Sequence, residues 1–316
     1  MEKISIISPS FNNAKYLSKA IESCINQTYR NIEIVIVEGG STDNSLDIIS
    51  GYADKEPRLK VLIHTDNKGV SKARNDGIVA SSGEFIAILD SDDLMTPTRL
   101  EELYVEICKD SAYGLVHSDV TVINSVGMAL GQITGRKRYS KGNICGEVLR
   151  RRGCHIGYPM IRRSCLEKSG LYDEILRGGE DYDLYTRLTR YYPVAYVQRP
   201  LYLYRRHGSN ASSKLSLMVV HYKQYLDNTF NNDTEGVYND IKNEAYAHYY
   251  IDLMNLEFTR NNVNFVFYFF PKCILYCMMN PGYCVPVIRT LGMRLRTIIQ
   301  KKIARICRRE FVQVGW

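Results

Sequence analysis

The sequence lacks several features that mark common classes of protein. It contains no CxxC pair, and its nine cysteines are an odd number. Its first residues, MEKISIISPS, alternate like a β-strand and do not show the charged and then apolar stretch of a secretory leader. We therefore expect a cytoplasmic protein whose cysteines are reduced.

Two common phosphate-binding signatures are also missing. No segment ends in the Gly-Lys-Ser/Thr of a Walker A loop, and no GxGxxG is present. Metal-dependent nucleotidyl transfer would require a basic glycine-rich phosphate loop, so this absence argues against that activity. The sequence has no internal repeat and no low-complexity segment either.

Acidic residues are absent from residues 289–309, which hold eight Lys or Arg. The formal net charge of the whole chain is +7, so the remaining residues are close to neutral. The apolar residues of this segment recur at helical spacing, which predicts a basic amphipathic helix. We expect it to lie on an anionic membrane surface, and the alternative is a helical cap packed on the rest of the protein. Nothing else in the sequence supports a nucleic-acid partner.

Charge is also scarce in residues 263–288, where Lys272 is the one charged residue. The segment is long enough to span a bilayer, at about 20 residues. Three prolines and Asn280 interrupt it, and this favours an interfacial or re-entrant segment over a membrane-spanning helix.

What is present is an alternation of strand-like and helix-like segments over residues 1–210. The predicted strands are 4–8, 32–38, 59–64, 85–90 and 114–119. The predicted helices between them are 14–27, 41–53, with Ser41 or Thr42 as its N-cap, and 69–82. This order predicts an α/β domain with a mostly parallel sheet and helices on both faces. Residues 211–316 form a second region that we expect to be helical, beginning with helices at 214–230 and 240–258.

Three carboxylates follow one predicted strand in the segment GEFIAILDSDDLMTP. Asp90, Asp92 and Asp93 lie within four positions at the carboxyl end of that strand, where ligands gather in such folds. Capping of the next helix explains one aspartate but not three. A Mg²⁺ or Mn²⁺ ion would relieve their repulsion and neutralise a substrate diphosphate. The sequence therefore favours a divalent-metal site.

Two upstream segments favour a nucleotide beside that metal. In VEGGSTDNS, Glu38 ends a strand before two glycines, and its carboxylate is placed to accept a hydrogen bond from a base N–H. The alternative is an ordinary strand-to-helix loop. In NKGVSKARND, Arg74 lies near a helix N-terminus and is suited to pair with a phosphate, whereas Lys72 reads as a solvated residue.

Two downstream segments add candidates for proton transfer and metal binding. RGGEDYDLYTRL places Glu180, Asp181 and Asp183 at the start of an amphipathic helix, where acids either cap the helix or act as a base. YRRHGSN places His207 in a polar loop, from which its imidazole is available to a metal.

Taken together, these segments resemble a known family. SIISPSFNNAKYLSKAIESCINQTYRNIEIVIVEGGSTDNS, NKGVSKARNDGIVASSGEFIAILDSDD and GGEDYDLYTRL, in this order and spacing, are similar to the family 2 glycosyltransferases. The resemblance covers residues 3 to about 210. It implies the GT-A fold of nucleotide-diphospho-sugar transferases and inverting sugar transfer in bacterial polysaccharide synthesis.

For the nucleotide-sugar donor, the resemblance implies that Pro9 and Phe11 line the base pocket. Glu38 stands where the family usually has an aspartate that contacts the nucleobase, and Gly39 replaces a second acid that many members carry. Arg74 matches the motif that supports the nucleotide end of the donor.

For the metal, the resemblance identifies Asp90-Ser91-Asp92 as the DxD motif. Asp92 is then the direct ligand of Mg²⁺ or Mn²⁺, with Asp90 and Ser91 near the ribose and the metal. Asp93 supports the loop from behind, and His207 joins the metal after the donor binds.

For catalysis, the resemblance assigns Asp181 as the base, with Glu180 beside it at the acceptor edge. The acceptor is a hydroxyl of a glycan or lipid-linked sugar in O-antigen, capsule or exopolysaccharide synthesis. We expect acceptor contacts from the segments around His155, Tyr158 and Arg177.

Two functions from different classes remain open on the sequence alone. The first is the glycosyltransferase, which we expect on the cytoplasmic face of the cell membrane as a peripheral protein. The second is a non-catalytic nucleotide-sugar or glycan binding protein that retains the fold. The presence of Asp181 favours the enzyme, because binding alone does not require a base.

Overall fold

The computed structural model of the chain describes residues 1–133, 141–150, 156–208, 210 and 215–259. Contacts divide the chain into two compact units, Met1–Thr229 and Phe230–Trp316. The first unit contains the sheet and the candidate site. The domain boundary that the sequence suggests after residue 210 stays a prediction.

In the described part of the chain, nine strands form one sheet. They are β1 (Ile4–Ser10), β2 (Ile32–Glu38), β3 (Leu59–Ile63), β4 (Phe85–Ile88), β5 (Leu94–Met95), β6 (Leu115–Ile123), β7 (Ala129–Ile133), β8 (Met160–Arg162) and β9 (Val194–Arg205). Their order across the sheet is β3-β2-β1-β4-β8-β6-β9-β5, and β7 pairs with β6 off this path.

Nine α-helices are present in the same described ranges. They are α1 (Ala14–Ile25), α2 (Ser45–Ala53), α3 (Val70–Ala80), α4 (Arg99–Ile107), α5 (Cys145–Arg150), α6 (Arg163–Ser169), α7 (Glu180–Tyr191), α8 (Leu215–Asn231) and α9 (Asn239–Thr259). Helices α1, α2 and α3 connect successive parallel strands, as the alternating sequence pattern predicts.

The first four strands form the parallel part of the sheet. β1 lies between β2 and β4 and runs parallel to both, and β2 is parallel to β3. In this register Ser10 at the end of β1 lies opposite Glu38 at the end of β2. The carboxyl ends of these strands therefore meet at one edge, where the polar loops that follow them gather.

The second half of the sheet is mixed. β8 runs antiparallel to both β4 and β6, whereas β6 and β9 are parallel. The predicted α/β class is confirmed, and the antiparallel pairs are an addition that simple strand–helix alternation does not indicate. They allow β9 to end close to the loop that follows β4, because the short β5 in that loop pairs with Leu203 and Tyr202 of β9.

Apolar side chains cover both faces of the sheet. In β2, Ile34 and Ile36 belong to one buried cluster, with residues of α1, α2 and α4. Val35 and Val37 belong to the other, with residues of α3, α6 and α7. Successive strand side chains point to opposite faces, so a strand buried on both sides reads as one continuous apolar run.

Helix α3 packs very close to the sheet at Gly77. A Cβ atom at this position would lie 2.5 Å from Cγ2 of Ile7 and 3.1 Å from Cγ2 of Val37. Only glycine allows this approach without displacing buried strand side chains. Because Arg74 lies about one turn earlier on the same helix, the close packing also fixes where its side chain begins.

The start of α2 differs from the sequence-based expectation. The helix begins at Ser45 after Asn44, so the prediction of Ser41 or Thr42 as its N-cap is wrong. The Ser41 N–H donates to the Glu38 carboxylate and the Thr42 N–H donates to Asn12 Oδ1. These bonds hold the two residues in the loop, and helical geometry starts only after them.

The helices predicted at 214–230 and 240–258 are confirmed as α8 and α9. The apolar segment 263–288 and the basic segment 289–309 lie outside the described residues. Among the residues that are described, no helix is both long and apolar enough to cross a membrane.

Candidate active site

The structure brings the predicted site residues together at the carboxyl edge of the parallel strands. Glu38 is the last residue of β2, and Asp90 follows β4 by two residues. Arg74 lies on α3, Asp181 in the first turn of α7, and His207 two residues after β9. Five separate segments of the chain thus converge on one region, and hydrogen bonds link several of their side chains.

Arg74 is the link between the strand edge and helix α7. Its side chain is only 3% exposed. Nη2 donates to Asp90 Oδ1 at 2.9 Å, and Nη1 donates to Asp181 Oδ1 at 3.0 Å and to Glu180 Oε1 at 3.5 Å. The guanidinium also lies over the ring of Tyr172, 5.1 Å from its centroid. One buried cation therefore contacts Asp90, after β4, and both acidic residues at the start of α7, Glu180 and Asp181.

The charge of Arg74 is maintained by these neighbours. Burial disfavours its charged form, but Asp181 and Asp90 raise the pKa of Arg74 well above its ordinary value. A buried charge of this kind is tolerated only when it is paired and hydrogen-bonded. The position of Arg74 thus depends on the carboxylates as much as they depend on it.

Asp181 has the electrostatic properties of a general base. Its side chain retains 36% of its surface exposed, so a substrate hydroxyl has access to it. Loss of water around the carboxyl raises its pKa to about 7, because Arg74 only partly offsets that loss and the charges of Glu180 and Asp90 add to it. A base with a pKa near the working pH combines a useful ionised fraction with good proton affinity.

The three aspartates after β4 have three different sets of partners. Asp90 bonds to Arg74, as described above. Asp93 is completely buried and accepts hydrogen bonds from the Tyr202 hydroxyl at 2.9 Å and the Arg205 N–H at 2.6 Å. Burial and the charges of the two neighbouring aspartates raise the pKa of Asp93 well above its ordinary value. Asp93 holds the loop from behind, the arrangement that the resemblance implies.

Asp92 pairs with His207. Asp92 Oδ2 lies 2.8 Å from His207 Nε2 and accepts a longer hydrogen bond, 3.3 Å, from Asn210 Nδ2. The His207 ring packs on Tyr16, with 4.8 Å between ring centroids. Burial and the charge of Asp90 raise the pKa of Asp92. The carboxylate and the imidazole expected to bind a metal are therefore adjacent, in a place that favours added positive charge.

This pair fits a hard divalent cation. Carboxylate oxygen and imidazole nitrogen are both ligands that Mn²⁺ accepts, and Mg²⁺ is held by few carboxylates together with substrate phosphates and water. No group of three or more His, Cys, Asp or Glu able to hold an ion occurs among the described residues. A cation here would thus take Asp92 and His207 from the protein and complete its coordination with substrate and water. The role of Asp90 as a further ligand stays a prediction, since its Oδ1 is engaged by Arg74.

At the end of β2, Glu38 binds its own loop. Its two carboxylate oxygens accept hydrogen bonds from the N–H groups of Gly40 and Ser41, at 2.9 and 2.8 Å. A carboxylate has about four acceptor sites, so these bonds leave capacity for a base N–H. The side chain of Phe11 is 41% exposed beside this loop, and a Cβ on Gly39 would lie 3.5 Å from Phe11 Cβ.

Pro9 and Ser91, the other residues predicted to contact the nucleotide-sugar donor, lie in the same region. Pro9 is buried in β1 opposite Val37. Ser91 is 2% exposed, and its Oγ accepts a hydrogen bond of 2.7 Å from Asn13 Nδ2. Asn13 precedes α1, so this bond ties the first strand-to-helix loop to the DSD segment.

A small cavity of about 110 Å³ opens beside Asp181. Besides Asp181, the described residues that line it are mostly aromatic or aliphatic: Val148, Ile156, Gly157, Tyr158, Tyr182 and Tyr185. Of the three residues expected around the acceptor, Tyr158 lines this cavity, Arg177 Nη1 donates to the Lys68 carbonyl at 3.1 Å, and His155 lies outside the described residues.

Several residues of the site were not identified from the sequence. Tyr16, Tyr172 and Tyr202 each stand next to a leucine, where an aromatic residue reads as core, so no local signal marks them. Arg205 and Asn210 flank His207 in YRRHGSN, and this polar segment directly after a strand is a signal that identifies them in retrospect.

Comparisons with known proteins agree with this picture. Residues 5–170, which include Arg74 and the aspartate cluster, match the sequence model of a family described as "Glycosyl transferase family 2". Glycosyltransferase GlyG of Streptococcus pneumoniae is 31% identical over 219 residues, which cover 66% of this chain and 72% of GlyG. Chondroitin synthase of Escherichia coli is 28% identical over 211 residues, but the match spans only 30% of that protein's length.

Solved structures resemble the fold at low sequence identity. A mannosyltransferase from Pyrobaculum calidifontis, in complex with GDP-Man and Mn²⁺, matches 94% of this chain and 81% of its own with a TM-score of 0.64 and 15% identity. Staphylococcus aureus TarS 1-349 in complex with UDP-GlcNAc matches 79% of this chain and 81% of its own, with a TM-score of 0.57 and 18% identity. These likenesses confirm the GT-A fold that the resemblance implies.

Replacing Arg74 tests whether it neutralises the carboxylates around it. In Arg74→Met, Asp181 loses the cation that lowers its pKa, so this pKa rises further above that of the unfolded chain. Such a carboxyl destabilises the fold increasingly as pH rises through that range, and its repulsion by Asp90 and Glu180 adds to the cost. We expect a loss of about 3 kcal/mol in the free energy of unfolding at pH 8, shrinking clearly toward pH 5, in urea unfolding with a chelator present.

Arg58→Met is the matched control. Arg58 bonds to Glu56 near the surface and holds the pKa of that carboxyl at about 2. The stability from this pair is lost only as pH falls toward 2, so the cost of the control substitution, about 1 kcal/mol or less, should not change between pH 5 and 8. Equal pH dependence in the two variants would contradict the role given to Arg74.

Proposed function

The chain belongs to glycosyl transferase family 2, and we propose that it is a metal-dependent, inverting glycosyltransferase. It moves a sugar from a nucleotide-sugar donor to a hydroxyl of a glycan or lipid-linked acceptor. The observation that carries this proposal is that Arg74 contacts both Asp90, at the donor edge, and Asp181, the candidate base. Donor binding and proton removal then occur on two sides of one guanidinium.

The donor occupies the loops after β1, β2 and β4. Phe11 and Glu38 flank the nucleobase, and Ser91, fixed by Asn13, approaches the ribose. Arg74 is nearly buried and bonded to carboxylates, so its part in donor binding is to hold Asp90 in place at the donor edge. Two structures of similar fold hold GDP-Man and UDP-GlcNAc, which supports a nucleotide sugar as the donor class.

Asp92 and His207 would hold the divalent cation, Mg²⁺ or Mn²⁺. When bound, this ion neutralises charge on the leaving diphosphate, which lowers the barrier to breaking the sugar C1–O bond. Asn210, which bonds to both His207 and Asp92, and the Tyr16 ring keep the His207 imidazole next to Asp92. The presence of Mn²⁺ in the structure from Pyrobaculum calidifontis supports this choice of metal.

Asp181 removes the proton from the acceptor hydroxyl. The oxygen then attacks C1 of the donor sugar from the face opposite the diphosphate, and the C1–O bond to the diphosphate breaks. One displacement inverts the configuration at C1. Glu180 lies beside the base and sustains its raised pKa by charge repulsion. General-base assistance of this kind contributes about 10²–10⁴-fold to a rate.

We assign the activity to bacterial polysaccharide synthesis, because one relative is named chondroitin synthase and another is a streptococcal glycosyltransferase. The basic segment 289–309 supports a position on the cytoplasmic membrane surface, where a lipid-linked acceptor would be within reach.

Asp181→Asn is expected to reduce sugar transfer by at least about 10²-fold, because the amide does not accept the proton. Donor binding should remain close to that of the parent protein, since the donor contacts other residues. Transfer is measured as nucleoside diphosphate release with acceptor, and donor binding as protection from thermal unfolding across UDP-, GDP- and dTDP-sugars with Mn²⁺.

Asp47→Asn, an acid-to-amide change on the exposed face of α2, is the control and should leave both readouts unchanged. Loss of donor affinity in Asp181→Asn would contradict the assigned role. A parent protein that binds a nucleotide sugar but neither transfers nor hydrolyses it would instead favour the non-catalytic binding protein.

The pH profile of transfer follows from the raised pKa of Asp181. The base acts in its ionised form, so the rate should fall about tenfold per pH unit below pH 7 and level off above it. Glu180→Gln removes a charge that raises this pKa, so the midpoint of the acid limb should move to lower pH. Glu174→Gln, at a carboxylate outside the cluster, should leave the midpoint in place. An unchanged midpoint in Glu180→Gln would contradict the electrostatic account.

A further inference from the structure

We propose that the cavity beside Asp181 binds the acetamido group of an N-acetylated acceptor sugar. This inference rests on the proposed function, because it takes Asp181 as the base and its surroundings as the acceptor side. It goes further by naming the class of acceptor and the residues that select it.

The size of the cavity limits what enters it. At about 110 Å³ it is somewhat smaller than a cavity of about 150 Å³, which is enough to hold a benzene molecule. A whole hexose ring with its hydroxyls is far larger, so only a substituent of the sugar enters. An acetamido group has four non-hydrogen atoms and fills the space. A single methyl group of a deoxy sugar would leave most of it empty.

The chemistry of the walls favours an apolar end. Among the described residues, three tyrosines, Tyr158, Tyr182 and Tyr185, line the cavity together with Val148 and Ile156. A hydroxyl or hydroxymethyl group placed against these surfaces loses its water and gains few hydrogen bonds. The methyl group of an acetamido packs well on aromatic faces, whereas its amide remains near the mouth of the cavity.

One wall is rigidly held. Tyr158 adopts a left-handed backbone conformation with φ of +47°, which is rare for a bulky residue. Its carbonyl accepts a hydrogen bond from Arg99 Nη2, and its ring stacks on Tyr202 with 3.8 Å between centroids and 6° between planes. A strained backbone conformation of this kind persists only where surrounding contacts hold it in place, and this is typical of ligand sites.

The support behind Tyr158 is itself buried and fixed. Arg99 is 1% exposed, and its Nη1 donates to Ser118 Oγ at 2.7 Å. Its guanidinium lies 5.0 Å from the centroid of the Tyr202 ring, whose hydroxyl bonds to Asp93. Tyr158, which lines the cavity, and Asp93, in the loop after β4, therefore both contact Tyr202. A substituent that packs on Tyr158 is thus held at a defined position relative to the site.

The test compares the methyl glycosides of N-acetylglucosamine and glucose as probes of the full chain with Mg²⁺. Dissociation constants come from ligand-observed saturation-transfer NMR. We expect at least tenfold tighter binding of the N-acetyl glycoside, with the strongest saturation on its acetyl methyl protons. Equal binding of the two glycosides, or saturation spread evenly over the sugar ring, would overturn the proposal.

Two substitutions at Val148, a buried residue of α5, change the cavity in opposite directions. Val148→Phe fills it and should remove the preference for the N-acetyl glycoside. Val148→Ala enlarges it and should shift the preference toward the N-propionyl glycoside, an outcome that a misfolded protein does not produce. Val105→Phe, at an exposed position of α4, is the control and should keep the parent preference. An unchanged preference in both Val148 variants would refute the inference.

These experiments distinguish a failure of this inference from a failure of the proposed function. Sugar transfer that depends on Asp181, without any acetamido preference, would refute this inference alone. An acetamido preference that follows Val148, in a protein that transfers no sugar, would support the cavity assignment and refute the enzymatic function.

Discussion

The site depends on one buried guanidinium shared by carboxylates from two distant parts of the chain. Arg74 joins Asp90, after strand β4, to Asp181 and Glu180, at the start of α7. Three carboxylates this close would repel one another strongly in a low-dielectric setting, and removing the cation from such a cluster is costly. The close packing of α3 on the sheet at Gly77 fixes the helix that carries Arg74, so the fold determines the electrostatics of the site.

The three aspartates after β4 are tolerated because each is paired with a different group. Asp90 faces a cation, Asp93 is bonded to a hydroxyl and a backbone N–H, and Asp92 pairs with an imidazole. Loss of water around the Asp181 carboxyl, which Arg74 only partly offsets, raises the pKa of Asp181 to about 7. The features that make the cluster electrostatically costly are thus the same ones on which its proposed roles in proton transfer and metal binding rest.

Much of the fold and most of the site's location were predictable from the sequence. The strands β1 and β2 follow from short β-branched runs and helix α1 from apolar residues at helical spacing, and parallel strands bring their carboxyl ends together. The antiparallel half of the sheet was not predictable, because β8 is only three residues long and its pairing is set by tertiary contacts. The partners of the site residues were missed for the same reason: Tyr172 and Tyr202 read as core, and only packing places them beside charges. The predicted start of α2 was wrong because the side chains of Glu38 and Asn12 accept hydrogen bonds from N–H groups of the loop before the helix.

The most direct test of this account is a crystal structure with Mn²⁺ and a nucleoside diphosphate, with anomalous scattering used to locate the metal. The account predicts a manganese peak at Asp92 and His207, phosphate oxygens completing its coordination, and Arg74 still seated between Asp90 and Asp181. A metal bound away from Asp92, or an Arg74 side chain that contacts neither the diphosphate side nor Asp181, would contradict it.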